Sequence, residues 1–113
     1  MTISRYSFGQ IHIRGQTYTS DVIIFPDRVQ ERWWRKEGHR LRVEDVAAVV
    51  AAEPEAVVIG TGSLGAMKVP AETTAYLRSK GIEVHVARTG QAVKIYNDIQ
   101  AKGRTVACLH LTC

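Results

Sequence analysis

Cysteine is scarce in this sequence of 113 residues, since only Cys108 and Cys113 occur, both near the C-terminal end. Two cysteines cannot build the multi-bridge framework of small secreted domains, and they fit a reducing compartment. No hydrophobic run approaches the roughly 20 residues that a membrane-spanning helix needs, and residues 1–8 lack the apolar core of a secretory signal. We therefore expect a cytoplasmic protein that is not inserted in a membrane.

The sequence also lacks a recognisable catalytic or metal-binding constellation. His110 and Cys113 have an H-x-x-C spacing, but a zinc site needs three or four ligands and the other histidines are scattered. Cys108 and His110 lie two residues apart on one strand, too far for a nucleophile to contact its base. We interpret Cys108 as a core residue and Cys113 as a free thiol. The sequence predicts no metal, no cofactor and no catalytic residue, and it favours a binding protein over an enzyme.

The chain is long enough to form one domain, residues 1–113, with a core that needs no disulfide or metal. Its first third alternates as strands do and includes the buried run at residues 22–25. Residues 29–35 are predicted as a further strand that carries Trp33 and Trp34 on opposite faces. Val43 begins a helical pattern that ends before Pro54.

The second half alternates between strand and helix. Strands are predicted at residues 56–59, 82–87 and 106–111. One helix begins at Pro70 and ends at Gly81, and another runs over residues 92–102 with Thr89 as its cap. Right-handed crossovers join such a β-α-β-α-β order into a mostly parallel sheet. We therefore predict a three-layer α/β fold with a β-rich first third; the direction of the last strand stays open.

A glycine-rich loop, residues 60–65, follows the first of these strands and has the spacing G-x-G-x-x-G. Pro70 falls where a dinucleotide-binding helix would continue, which argues against that function. A simpler anion site is possible, because loops at the carboxyl ends of parallel strands meet at one sheet edge. The alternative is that the glycines only let the chain turn and pack closely. The candidate ligand-binding residues are Gly60, Thr61, Gly62, Ser63, Gly65, Arg88, Thr89 and Gln91.

Residues 28–42, the basic segment, contain six arginines and lysines against two glutamates, which accounts for the whole net charge of +4. Tryptophan among basic residues is typical of protein-binding hot spots and also of nucleic-acid contacts. A third interpretation is a hairpin with one tryptophan in the core and a solvated basic face. Because +4 is modest for a polyanion binder, we expect no specific nucleic-acid binding. The candidate partner-binding residues are Arg32, Trp34, Arg35 and Lys36, with homo-oligomerisation left open.

Short motifs along nearly the whole chain resemble a known family. They are Phe8-Gly9-Gln10, Tyr18-x-x-Asp21-Val22, Trp34-Arg35-x-x-Gly38, Val58-Ile59-Gly60-Thr61-Gly62, Lys68-Val69-Pro70, Ala92-Val93 with Tyr96-Asn97, Gly103-Arg104 and Leu109-His110-Leu111-Thr112-Cys113. The set is similar to the small domain-of-unknown-function family that includes the mitochondrial respiratory complex I assembly factor 3 and the adipogenesis-associated domain-containing protein.

The resemblance implies a three-layer fold of helices and strands in a soluble, non-secreted protein. It brings no established catalytic residue, and it does not assign a role in complex I assembly to this chain. Because one member is an assembly factor, the resemblance adds weight to a non-enzymatic protein-interaction module. A small protein that binds an anionic ligand, or an unrecognised enzyme using residues 60–65 and 88–91, is the alternative.

Overall fold

The structure is a computed structural model that describes residues 1–113. Eight strands and three α-helices follow one another along the chain. The strands are β1 (Ile3–Ser7), β2 (Gln10–Ile13), β3 (Gln16–Tyr18), β4 (Val22–Ile24), β5 (Val29–Gln30), β6 (Ala56–Gly60), β7 (Glu83–Ala87) and β8 (Thr105–Leu109). The α-helices are α1 (Ala47–Ala51), α2 (Ala71–Ser79) and α3 (Thr89–Ile99), and a 3₁₀ turn at Val43–Val46 leads into α1.

The central sheet has five strands in the order β5-β4-β8-β6-β7. Strand β6 pairs in parallel with both β7 and β8, whereas β4 pairs antiparallel with β8 and with β5. The predicted parallel second half is confirmed, and β8 runs in the same direction as β6. All residues of β6 and β8 are buried, as expected for central strands covered on both faces.

Two hydrophobic clusters lie on opposite faces of this sheet, because successive side chains of a strand alternate between faces. On one face, Val57 and Cys108 pack with Leu77 of α2 and with Trp33. On the other face, Val58 and Ala107 pack with Tyr96 of α3 and with the antiparallel sheet β1-β2-β3. The three layers that the sequence predicted are therefore confirmed.

Several predicted boundaries are corrected. The strand expected over residues 29–35 ends at Gln30, because Arg32 has a positive φ of 53° that breaks the extended conformation. The last strand ends at Leu109 rather than at residue 111. Helix α3 begins at Thr89, so Thr89 lies inside its first turn and Arg88 occupies the cap position. None of the helices combines the length and apolar character needed to cross a bilayer.

Candidate functional site

The chain between β5 and the 3₁₀ turn has no regular secondary structure, yet over residues 32–36 its side chains alternate between exposed and buried positions. Trp33 is only 6% exposed and Arg35 only 8%, whereas Trp34 between them is 76% exposed. Trp33 packs in the core beneath α2, so Trp34 is forced to the opposite side. The opposite orientation that the sequence predicted for the two tryptophans is correct, although the strand that was to produce it is absent.

Hydrogen bonds fix the backbone on both sides of Trp34. The N–H of Arg32 donates to Ser20 Oγ at 2.8 Å, and the N–H of Trp33 donates to the Asp21 carbonyl at 2.9 Å. On the other side, the N–H of Lys36 donates to Asp45 Oδ1 at 3.1 Å. These bonds replace the ladder of a regular strand, so the exposed indole stands on a backbone that is already ordered.

Below this surface lies an ionic cluster formed by Asp21, Arg35 and His110. Asp21 Oδ2 accepts a hydrogen bond from Arg35 Nη2 at 2.8 Å and another from His110 Nδ1 at 2.8 Å. Asp21 Oδ1 accepts from the backbone N–H of Leu111 at 2.8 Å. A carboxylate in this position offers only lone pairs, so His110 carries its proton on Nδ1. The cluster therefore ties the basic segment to the end of β8 and to the start of β4.

The electrostatics of the cluster favour a charged Asp21. Burial alone would raise the pKa of Asp21, but hydrogen bonds from His110, from the Leu111 N–H and from Arg35 outweigh it and hold the pKa below its usual range. The ionised carboxylate compensates the buried guanidinium of Arg35. Arg35 also donates from Nε and Nη2 to the Gly38 carbonyl, at 3.2 Å and 2.8 Å, and lies over the Trp33 ring.

The position of Arg35 corrects one sequence prediction. Its guanidinium was expected on a partner-binding surface, but it is buried in the ionic cluster and does not reach that surface. Arg32 and Lys36 are exposed beside Trp34, and neither forms a salt bridge. Arg40 is likewise exposed and unpaired. The other cations of the segment are neutralised, since Arg28 pairs with Asp27 at 3.1 Å and Arg42 with Glu37 at 2.9 Å.

The glycine loop is occupied by the chain's own C-terminal tail, residues 110–113. The N–H groups of Ser63 and Leu64 donate to the carbonyls of Thr112 and Cys113, at 2.6 Å and 3.2 Å. A Cβ added to Gly62, which has φ 107°, would lie 2.3 Å from the carbonyl carbon of Cys113. Glycine at this position is required by the close approach of the tail as well as by its φ.

The remaining amides of this loop are also paired. The N–H of Thr61 donates to the Ala87 carbonyl at 2.9 Å and the N–H of Gly65 to the Gly62 carbonyl at 3.2 Å. The N–H of Gly62 donates to the Thr89 hydroxyl at 2.9 Å, and that hydroxyl donates to the His110 carbonyl at 2.6 Å. The expected role of these backbone donors, and of Thr89, in holding an anion is therefore corrected, since no N–H from residue 61 to residue 65 is free.

The two predicted loops nevertheless meet, as expected for loops at one edge of a parallel sheet. Gly60 lies against Thr89, and a Cβ on Gly65 would lie 3.3 Å from Arg88 Nε. Arg88 and Gln91 are exposed at this edge. Anion binding by these two side chains stays a prediction, as does partner binding at Arg32, Trp34 and Lys36.

Sequence reasoning missed Asp21 and His110 as members of one site. They are 89 residues apart in the chain. Asp21 directly precedes β4 and His110 directly follows β8, and no sequence spacing relates these two positions. The available signal was indirect: an aspartate directly before the fully apolar run of β4 must find a partner when it is drawn inward.

Comparisons with known proteins agree with this architecture. A family model described as "Protein of unknown function (DUF498/DUF598)" matches residues 3–111. The conserved hypothetical protein PH1505 from Pyrococcus horikoshii has 24% identity and a TM-score of 0.86, with 100% of both chains covered. A structure named MT938 has 29% identity and a TM-score of 0.82, covering 99% of this chain and 98% of its own.

A third solved structure is described as an outer membrane protein from Bartonella henselae. It has 24% identity and a TM-score of 0.80, with 98% of this chain and 94% of that chain covered. At this identity the likeness shows a common fold. The cytoplasmic location that the sequence suggested stays a prediction.

Proposed function

The chain belongs to the DUF498/DUF598 family of proteins of unknown function, and we propose that it acts as a protein-interaction module whose anchor is Trp34. The partner is a protein surface with an apolar pocket for the indole and acidic side chains around that pocket. The observation that carries this proposal is the exposure of Trp34, 76%, between two neighbours that are buried.

The exposed indole supplies a large favourable term for association. A tryptophan side chain buries on the order of 200 Å², so about 150 Å² of Trp34 is available to a partner. At about 25 cal/mol per Å², covering this area is worth about 4 kcal/mol before the costs of association are subtracted. Tryptophan is among the residue types that dominate binding hot spots.

The fixed backbone lowers the entropic cost of binding. Trp33 and Arg35 are held in the interior, and the N–H groups of Arg32, Trp33 and Lys36 are all hydrogen-bonded. The backbone around the indole is therefore already ordered when a partner docks, and the remaining entropic cost falls on exposed side chains. A preorganised anchor of this kind retains more of its gross binding energy than one on a mobile loop.

The charge around Trp34 defines the chemistry of the partner. Arg32, Lys36 and Arg40 are exposed and have no carboxylate within salt-bridge distance. Complementary acidic groups would accelerate encounter and set orientation, with an effect that weakens as salt increases. A nucleic acid is less well matched, because the basic segment exposes one tryptophan and no tyrosine or phenylalanine, whereas a stacking platform uses several such rings.

The test compares the wild-type chain with Trp34→Ala, using Phe8→Ala as the matched control. Phe8 is also an exposed aromatic residue, 61% exposed, but it lies outside the basic segment. Proteins captured from the native lysate by each immobilised variant are quantified, and a recovered protein is then purified and titrated directly by calorimetry. We expect Trp34→Ala to weaken its Kd about 30-fold or more, equivalent to about 2 kcal/mol.

The control must keep the wild-type Kd, and the melting temperature of Trp34→Ala must match that of the wild type. Lys36→Gln should weaken binding less than Trp34→Ala and reduce its dependence on salt. Equal Kd values for the wild type and Trp34→Ala would refute the proposal. Capture of nucleic acid alone, released by moderate salt, would also refute it.

A further inference from the structure

Strand β7 forms one edge of the central sheet, because it is paired only with β6. The N–H of Glu83 donates to the Glu55 carbonyl at 2.9 Å, and the Ala87 carbonyl accepts from Thr61 at 2.9 Å. In a parallel ladder, alternate residues direct both backbone groups to the same neighbour. The odd-numbered residues of β7 therefore face β6, and Val84 and Val86 direct their N–H and C=O groups outward.

Strand β7 leaves the centre of this edge unprotected, because its one carboxylate, Glu83, lies at its first residue, whose N–H is directed toward β6. It contains no proline, no lysine and no bulge, which are the features that natural edge strands use against pairing. The backbone of edge strand β1 is hydrogen-bonded by a side chain. Asn97 accepts from the Ile3 N–H at 2.9 Å and donates to the Ile3 carbonyl at 2.8 Å. On β7, by contrast, Val86 is 44% exposed and its outward backbone groups have no partner in the chain.

We propose that β7 pairs antiparallel with β7 of a second copy of this chain, around a two-fold axis through His85. This register places Val84 of each copy opposite Val86 of the other. Because Val84-His85-Val86 reads the same in both directions, both pairs join valine to valine. Both are outward-facing residues, and each such pair exchanges two hydrogen bonds. Four hydrogen bonds then join two five-stranded sheets into one sheet of ten strands.

The symmetry argues for a second copy over an unrelated strand. A closed two-fold dimer needs a surface complementary to itself, and the palindromic valines provide one with both apolar side chains on the same sheet face. His85 lies opposite His85 of the other copy, and each imidazole keeps its hydrogen bond of 2.6 Å to its own Glu83. The contact is short compared with standard interfaces, so we expect a reversible dimer whose population rises with protein concentration.

The first experiment is sedimentation velocity over protein concentrations from about 1 µM to about 1 mM, the range in which weak complexes form. The wild type should shift from its monomer mass of 12.6 kDa to twice that mass. Val86→Lys places a charge on the free edge and should stay monomeric. Val86→Pro should do the same, since the N–H that it removes makes no bond to β6. Leu64→Lys, which changes an exposed apolar residue outside β7, should dimerise as the wild type does.

A cross-linking experiment tests the register. In a Cys113→Ser background, His85→Cys should form an intermolecular disulfide under mild oxidation, because residues opposite each other at a non-hydrogen-bonded position have Cα atoms about 4.5 Å apart. Val84→Cys is the matched control and should not, because it lies opposite Val86. A wild type that stays monomeric throughout, equal dimerisation of Val86→Lys, or cross-linking of Val84→Cys in preference to His85→Cys would overturn the proposal.

Discussion

The change Asp21→Asn tests whether the ionic cluster holds the basic segment in place. It keeps the shape of the side chain and removes its charge, so Arg35, whose side chain is 5% exposed, loses its only carboxylate. Breaking a buried ion pair from one side costs about 3 to 5 kcal/mol. The Asp21 side chain is 17% exposed, and water at that opening reduces the loss, so we expect about 3 kcal/mol.

The assay is thermal and urea unfolding at pH 7, monitored by circular dichroism. For a domain of this size a loss of 1 kcal/mol lowers Tm by about 4 °C, so Asp21→Asn should melt about 12 °C below the wild type. Asp27→Asn is the matched control. It makes the same chemical change at an ion pair whose side chains are 76% and 59% exposed, and it should stay within about 0.5 kcal/mol of the wild type.

A double variant separates charge from packing. Adding Arg35→Met to Asp21→Asn removes the unpaired buried charge and keeps an apolar chain over Trp33, so it should recover part of the lost stability. The reasoning is refuted if Asp21→Asn unfolds within 1 kcal/mol of the wild type. It is also refuted if adding Arg35→Met to Asp21→Asn lowers the free energy of unfolding as much as Arg35→Met does in the wild type.

Three further outcomes follow from the same structure. The pKa of Asp21 is lowered in the folded state, so its stabilisation is complete above the unfolded pKa of about 3.9 and is lost as pH falls through the folded pKa. The free energy of unfolding, measured with urea, should therefore fall less between pH 7 and pH 3 for Asp21→Asn than for the wild type. Gly62→Ala should lower the free energy of unfolding in denaturant by about 2 kcal/mol or more, because the positive φ and the nearby Cys113 carbonyl both oppose a Cβ. Gly90→Ala, in α3 and with open space around it, should raise that free energy by up to about 1 kcal/mol. Burial raises the pKa of Cys108 to about 12, so iodoacetamide at pH 8 should modify Cys113 alone in the native protein and both thiols in urea; native modification of Cys108 would contradict its burial.

Local patterns were sufficient to predict the elements of the second half. Strand β6 is a short run of apolar residues, and Pro70 and Gly81 mark the two ends of α2 as proline and glycine usually do. The same reasoning failed at Thr89. A threonine before a helix is commonly its cap, but the hydroxyl here bonds to Gly62 and His110 in distant parts of the chain. Helix α3 begins at Thr89, three residues before the predicted start, and Arg88 takes the cap position.

The basic segment shows the limit of composition as a guide. Its charge and tryptophans identified the region, and the exposed Trp34, Arg32 and Lys36 were located correctly on the surface. Arg35 was placed with them because an arginine is mostly exposed unless it is paired. Its partner, Asp21, lies 14 residues earlier and is brought near by the pairing of β4 with β5, which the bond from the Trp33 N–H to the Asp21 carbonyl extends.

The central position of β8 has a consequence for synthesis of the chain. Strands β4 and β6 are both made before β8, yet they are joined only through it. Translation at about 5 to 20 residues per second leaves several seconds between the emergence of β4 and that of β8. During that interval the two halves of the sheet expose apolar faces without their shared neighbour. The five-stranded sheet can therefore be completed only after β8 has been made, and the apolar surface that a chaperone would protect is larger before that point.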